Sequence, residues 1–89
     1  MSRVLIIDDE QSLLTTLEVL FIREGFEVET APGGREGLES LRRGPGPDLL
    51  ITDIRMPEVD GIQVLREAKK TDPFLPVVII TAQAEKQVA

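Results

Sequence analysis

The sequence predicts an α/β fold, a doubly wound parallel sheet, and three observations carry that expectation. Continuous aliphatic runs recur at Val4-Leu5-Ile6-Ile7, Leu49-Leu50-Ile51 and Val77-Val78-Ile79-Ile80, the pattern of strands buried on both faces. Between them lie segments whose apolar residues return at helical spacing. Strand and helix therefore alternate, and right-handed crossovers fold such an alternation into a parallel sheet with helices on both sides.

Each element has its own signal. The first strand, Val4 to Ile7, is closed by Asp8-Asp9. From Gln11 to Glu24, Leu13, Leu14, Leu17, Leu20 and Phe21 form a helical stripe that Val19 and Ile22 widen, so burial on more than one side is expected; Gly25 supplies the stop. Phe26-Glu27-Val28-Glu29-Thr30 alternates apolar with polar, as an outer strand with one solvated face does. After Pro32-Gly33-Gly34, Leu38 and Leu41 mark a weak helix that Gly37 should destabilise by roughly 1 kcal/mol relative to Ala. Gly44-Pro45-Gly46-Pro47 reads as a helix-to-strand loop rather than an interdomain linker, because strand-like Leu49 to Thr52 follows at once. Asp60 and Gln63 stand in the relation of a capping box ahead of Val64, Leu65 and Ala68. Asp72-Pro73 ends that helix, Val77 to Ile80 is a fourth buried strand, and Gln83 to Ala89 begins another helix.

Composition narrows the function. Eighty-nine residues, 42% hydrophobic and 29% charged, suit one domain spanning residues 1–89. A net charge of -6 argues against direct nucleic-acid contact, which rests on Lys and Arg neutralising phosphates. No apolar run approaches the roughly 20 residues that span a bilayer, Met1-Ser2-Arg3 has no signal-peptide plan, and cysteine is absent; a cytoplasmic location is the expectation.

In open parallel sheets functional groups gather beyond the carboxyl ends of the strands, where strand order reverses. Asp8 and Asp9 follow the first strand and Asp53 the third, with Thr81 after the fourth. If the first and third strands are neighbours, the acids converge. Two unit charges about 4 Å apart repel by roughly 4 kcal/mol at an effective dielectric near 20, so such a cluster calls for a cation or a shifted proton. Hard oxygen donors without His or Cys favour magnesium or manganese over zinc, and magnesium accepts phosphate oxygens alongside one or two carboxylates. For any one Asp, a solvated strand end is the commoner situation; it is the joint placement that points to a site.

Ile7-Asp8-Asp9-Glu10, Asp53-Ile54-Arg55-Met56-Pro57 with Asp60-Gly61, and Ile80-Thr81-Ala82 together resemble the response-regulator receiver domains of bacterial two-component systems, over essentially all 89 residues. The Arg55-Met56-Pro57 stretch is similar to receivers of sigma-factor-dependent transcriptional activators. The resemblance implies a flavodoxin-like receiver fold with strand order 2-1-3-4. It implies that Asp53 is the phosphoacceptor, Asp9 a direct Mg2+ ligand, Asp8 an acid acting through metal-bound water, and Arg55 a ligand through its backbone carbonyl. Thr81 would be the switch hydroxyl, and Met56-Pro57 would shape the loop, although Arg55 and Met56 also suit plain loop packing. The implied partner is a histidine kinase that donates phosphate, and the implied role is signalling, not enzymatic turnover.

Receivers continue through a fifth strand ending in lysine and a fifth helix. The expectation here is a partial receiver with that strand and helix missing, in which Lys69, Lys70 and Lys86 do not stand in the lysine's place. An outer fourth strand and an apolar first helix lead to a further expectation, a homo-oligomer formed through either surface. The alternative function is a phosphate-independent dimerisation or interaction module. A haloacid-dehalogenase-like phosphatase fits poorly, because its nucleophile motif wants a second Asp two residues after the first, where this chain has Arg55.

Overall fold

In the computed structural model, residues 2–80 are described, and they form a four-stranded parallel sheet with helices on both faces. The elements run β1 (Arg3–Ile7), α1 (Gln11–Arg23), β2 (Glu27–Ala31), α2 (Gly34–Arg43), β3 (Leu49–Asp53), α3 (Gly61–Thr71) and β4 (Val77–Ile80). Strand order is β2-β1-β3-β4, as expected, so the chain leaves β1 in one direction and crosses to β3 in the other. The start of a helix expected at Gln83 to Ala89 lies outside the described residues.

Strand periodicity divides the core in two. Leu5, Ile7 and Leu50 point to one face, where Leu38 of α2, Met56, Val64 and Ala68 of α3, and Leu75 complete a buried cluster. Val4, Ile6 and Ile51 point to the other, against Leu14 of α1 and the half-buried Leu17, Phe21, Phe26 and Val28. Alternate residues of one aliphatic run thus serve two layers, and both layers tolerate only apolar side chains there.

The helix ends follow local chemistry. Gly25, at φ 93°, closes α1: its N–H donates to Ile22 O at 3.0 Å and that of Phe26 to Phe21 O at 3.1 Å, while the Phe21 and Phe26 rings meet edge to face at 5.3 Å. The capping box of α3 is present in both directions. Asp60 Oδ1 accepts from Gln63 N–H at 2.9 Å, and Gln63 Oε1 accepts from Asp60 N–H at 3.0 Å. Lys69 Nζ donates to the carbonyl of Leu75 at 2.6 Å and ties down the turn after α3.

Besides its low helix propensity, Gly37 admits α2 to the sheet: a Cβ there would collide with the buried side chain of Ile7, so the glycine sets how closely α2 approaches β1. Two expectations need correction. Val19 and Ile22 are not buried on a second side of α1; with Leu20 they face outward, Ile22 being 55% exposed. The run Val77 to Ile80 is not buried on both faces either, since Val78 is 48% exposed on the α1 side of the sheet, where no described helix covers it. An aliphatic run reports preference for burial, not the presence of a covering element.

Replacing Gly37 with Ala should lower stability by about 1–3 kcal/mol in urea unfolding, the usual cost of overpacking, although Ala is the better helix former. An unchanged or raised midpoint would show that Ile7 can move aside.

Candidate functional site

The sheet register assembles the site. In the β1–β3 ladder Ile7 pairs with Thr52, so the next residues on each strand, Asp8 and Asp53, adjoin at the carboxyl edge. Asp9 follows one residue later. One carboxylate oxygen from each of Asp8, Asp9 and Asp53 lies within 4.8 Å of the other two. The three acids that the sequence singled out are therefore brought together.

Their surroundings differ. Asp8 is 2% exposed; its Oδ1 accepts from Glu10 N–H at 2.9 Å, and its Oδ2 is buried without a hydrogen-bond partner among the described residues. Burial pushes the Asp8 carboxyl above the usual carboxylate range; the Glu10 amide works against this, and the charges of Asp53, Asp9 and Glu10 add to it. Asp9 is exposed and Asp53 half-buried. Asp53 Oδ1 accepts from the N–H of Ile54 at 2.8 Å, which orients the carboxyl group.

The loop from Asp53 to α3 is held from several sides. Ile54 O accepts from Gly61 N–H at 2.8 Å, and Pro57 O accepts from Val59 N–H at 2.7 Å. Among the described residues the carbonyl of Arg55 accepts no hydrogen bond, so it is available as a ligand, while the Arg55 side chain is exposed. Met56 is buried in the core, which makes its role packing. Gly61 lies against the carbonyl of Asp53 and Gly34 against that of Val59, each so closely that a Cβ would collide with backbone. Arg35 of α2 forms an ion pair with Glu58, whose backbone is left-handed at φ 66°.

Thr81 lies outside the described residues, as does Lys86. β4 pairs Ile80 with Asp53, and Ile80 O accepts from Ile54 N–H at 3.2 Å, so the strand that precedes Thr81 ends beside the acids. Lys69 is bound to the turn after α3, and Lys70 is exposed on the same last turn. Sequence reasoning missed Arg35 and Glu58, and it marked Gly34 as a chain break and Gly61 as part of a motif without their close backbone contacts. The glycines and the opposite charges are visible in the sequence, but only tertiary proximity joins residues 34–35 to 58–59.

The donor set suits a hard divalent cation. Three carboxylates this close repel one another, and the partnerless Oδ2 of Asp8 is an acceptor that a metal-bound water could satisfy.

The chain belongs to the response regulator receiver domain family, whose model matches residues 4–89. It is 41% identical over 88 residues to the regulatory protein AtoC of Escherichia coli (strain K12), covering 99% of this chain and 19% of AtoC. It is 43% identical over 81 residues to the transcriptional regulatory protein GlrR of the same strain, covering 91% of this chain and 18% of GlrR. The chain spans about one-fifth of the length of these two curated relatives. Among solved structures, the response regulator TrrA of Thermotoga maritima, in complex with Mg2+-BeF, superposes with a TM-score of 0.88 at 33% identity, covering 99% of this chain and 76% of that one. A receiver domain from Clostridium thermocellum gives 0.87 at 34% identity, covering 99% and 72%. The motif resemblance and the flavodoxin-like strand order 2-1-3-4 are both upheld.

The raised Asp8 pKa has a measurable sign. Its neutral form is favoured in the fold, so the stability this group contributes is present below its ordinary value of 3.8 and lost as pH rises through the folded value. Without metal, Asp8→Asn should raise the thermal midpoint at pH 7 by on the order of 4–8 °C, the shift for roughly 1 kcal/mol in a chain this size. The gain should vanish as pH falls below 3.8 and shrink in saturating Mg2+. An Asn variant no more stable at pH 7 would mean that Asp8 is not strained by burial.

Proposed function

We propose that this receiver takes a phosphoryl group from a phosphohistidine of a histidine kinase onto Asp53, beside a bound Mg2+. The observation that carries this reading is the convergence of Asp8, Asp9 and Asp53 within 4.8 Å at the carboxyl edge of adjacent strands. Asp9, Asp53 and the Arg55 carbonyl would hold the ion directly, and Asp8 would hold it through water. When bound, the ion offsets repulsion between an anionic nucleophile and an anionic donor.

The Asp53 carboxylate attacks phosphorus in line. The P–O bond forms as the P–N bond to histidine breaks, the electron pair returns to the imidazole, and an acyl phosphate is left on Asp53. The Ile54 amide holds Oδ1, which leaves the other carboxylate oxygen as the nucleophile. The added charge and acceptor oxygens would draw the Thr81 hydroxyl inward and bias the following segment, so that charge becomes signal. This is the work of a signalling module in the cytoplasm, not of an enzyme with its own turnover. Among the described residues no helix is long and apolar enough to cross a membrane, and the net charge of -6 disfavours direct nucleic-acid contact.

Acetyl phosphate with Mg2+ should label the chain, and Asp53→Asn should abolish labelling and Mg2+-dependent beryllofluoride binding, read by intact mass and fluorine NMR. Undiminished labelling of the variant would reject Asp53 as acceptor.

A second reading, homo-oligomerisation independent of phosphate, is favoured by exposed Val19, Leu20 and Ile22 on α1 and by exposed Val78 on β4, which is an outer strand among the described residues. Sedimentation velocity at micromolar concentration should then show a dimer that Val78→Lys or Ile22→Glu shifts toward monomer. A monomer for the unsubstituted chain would remove this reading and leave the phosphoacceptor reading untouched.

A further inference from the structure

The loop that joins Asp53 to α3 carries the Arg55 carbonyl, and its two ends are fixed by its own hydrogen bonds: Ile54 N–H to Asp53 Oδ1, Gly61 N–H to Ile54 O, and the Asp60 cap. The middle is held by the bond from Val59 N–H to Pro57 O, by the burial of Met56, and by contacts to α2. Glu58 sits in the left-handed region at φ 66°, a conformation that glycine adopts freely and a residue with a Cβ adopts only at a cost. Its side chain pairs with Arg35 on the first turn of α2, and beside this pair Gly34 lets α2 touch the Val59 carbonyl. Glu58, Arg35, Pro57 and Gly33 line a cleft of about 180 Å³ that Asp9 also borders. The pair therefore clasps the loop to α2 at the margin of the acid cluster.

We propose that Arg35 and Glu58 are positioning residues for the divalent cation: their ion pair latches the loop of residues 54–60 to α2 and so holds the Arg55 carbonyl in register with Asp9 and Asp53. The proposal rests on the metal reading above and deepens it. A plain field effect is the rival, and the two differ in sign. If only charge mattered, removing the cation of Arg35 would strengthen metal binding, and removing the anion of Glu58 would weaken it. If the latch matters, removing either weakens binding, because each loss frees the same loop. Both side chains are more than half exposed, so the effect is modest.

The test measures Mn2+ binding to the purified chain from the paramagnetic resonance signal of the free ion, and Mg2+ binding by competition. Arg35→Ala and Glu58→Ala should each weaken binding by about two- to five-fold, and the exchange Arg35→Glu with Glu58→Arg should restore it. Glu58→Gly separates positioning from stability: relief of the left-handed backbone should leave the thermal midpoint level or higher, while cation affinity still falls. Tighter binding by Arg35→Ala, or no recovery in the exchanged pair, would overturn the latch while leaving the metal site standing. A folded unsubstituted chain that binds neither cation would overturn the metal reading and the latch together.

Discussion

Three carboxylates are forced onto one short rim by backbone pairing, and the rest of the site is organised around that repulsion. β1 and β3 are hydrogen-bonded neighbours, so Asp8 and Asp53 cannot separate without breaking the sheet. Nor can Asp8 turn to solvent, since it is buried beneath the strand ends. The amides of Glu10 and Ile54 stabilise one oxygen each on Asp8 and Asp53. These bonds orient the carboxylates without neutralising them, so negative charge stays concentrated at the strand ends.

Close backbone approach keeps the site compact. Gly34, Gly37 and Gly61 stand where α2 meets the loop after β3, where α2 meets β1, and where α3 meets the end of β3. Each contact brings a helix to within touching distance of a strand end or of the loop after β3. The acids are thus framed by rigid elements rather than by the side chains of a long loop, and geometric tolerance at the pocket is correspondingly small.

The strands, the helices, the loop at Gly44 to Pro47 and the Asp60 capping box could all be read from residues 4–80, because each depends on local periodicity or local hydrogen bonding. The acid cluster could be read only in part. Strand ends place Asp8, Asp9 and Asp53 at the same edge, but their adjacency depends on the order 2-1-3-4, which family resemblance supplied. What was not legible is nonlocal. Gly37 looks like a helix defect until Ile7 is seen beneath it, and the exposure of Val19, Ile22 and Val78 cannot be inferred from residues that would be equally apolar in a covered position. Arg35 and Glu58 are ordinary surface charges in the sequence; 23 positions separate them, and only the crossover from β2 through α2 brings them together.

Asp60 is an acid in the same loop as Asp53, yet its carboxylate is turned to the amide of Gln63 at the head of α3. The capping box thereby commits that carboxylate to the head of α3, and the acids that converge at the strand ends are the three of Asp8, Asp9 and Asp53. A helix cap thus keeps one acid of the loop in the service of the helix rather than of the cluster.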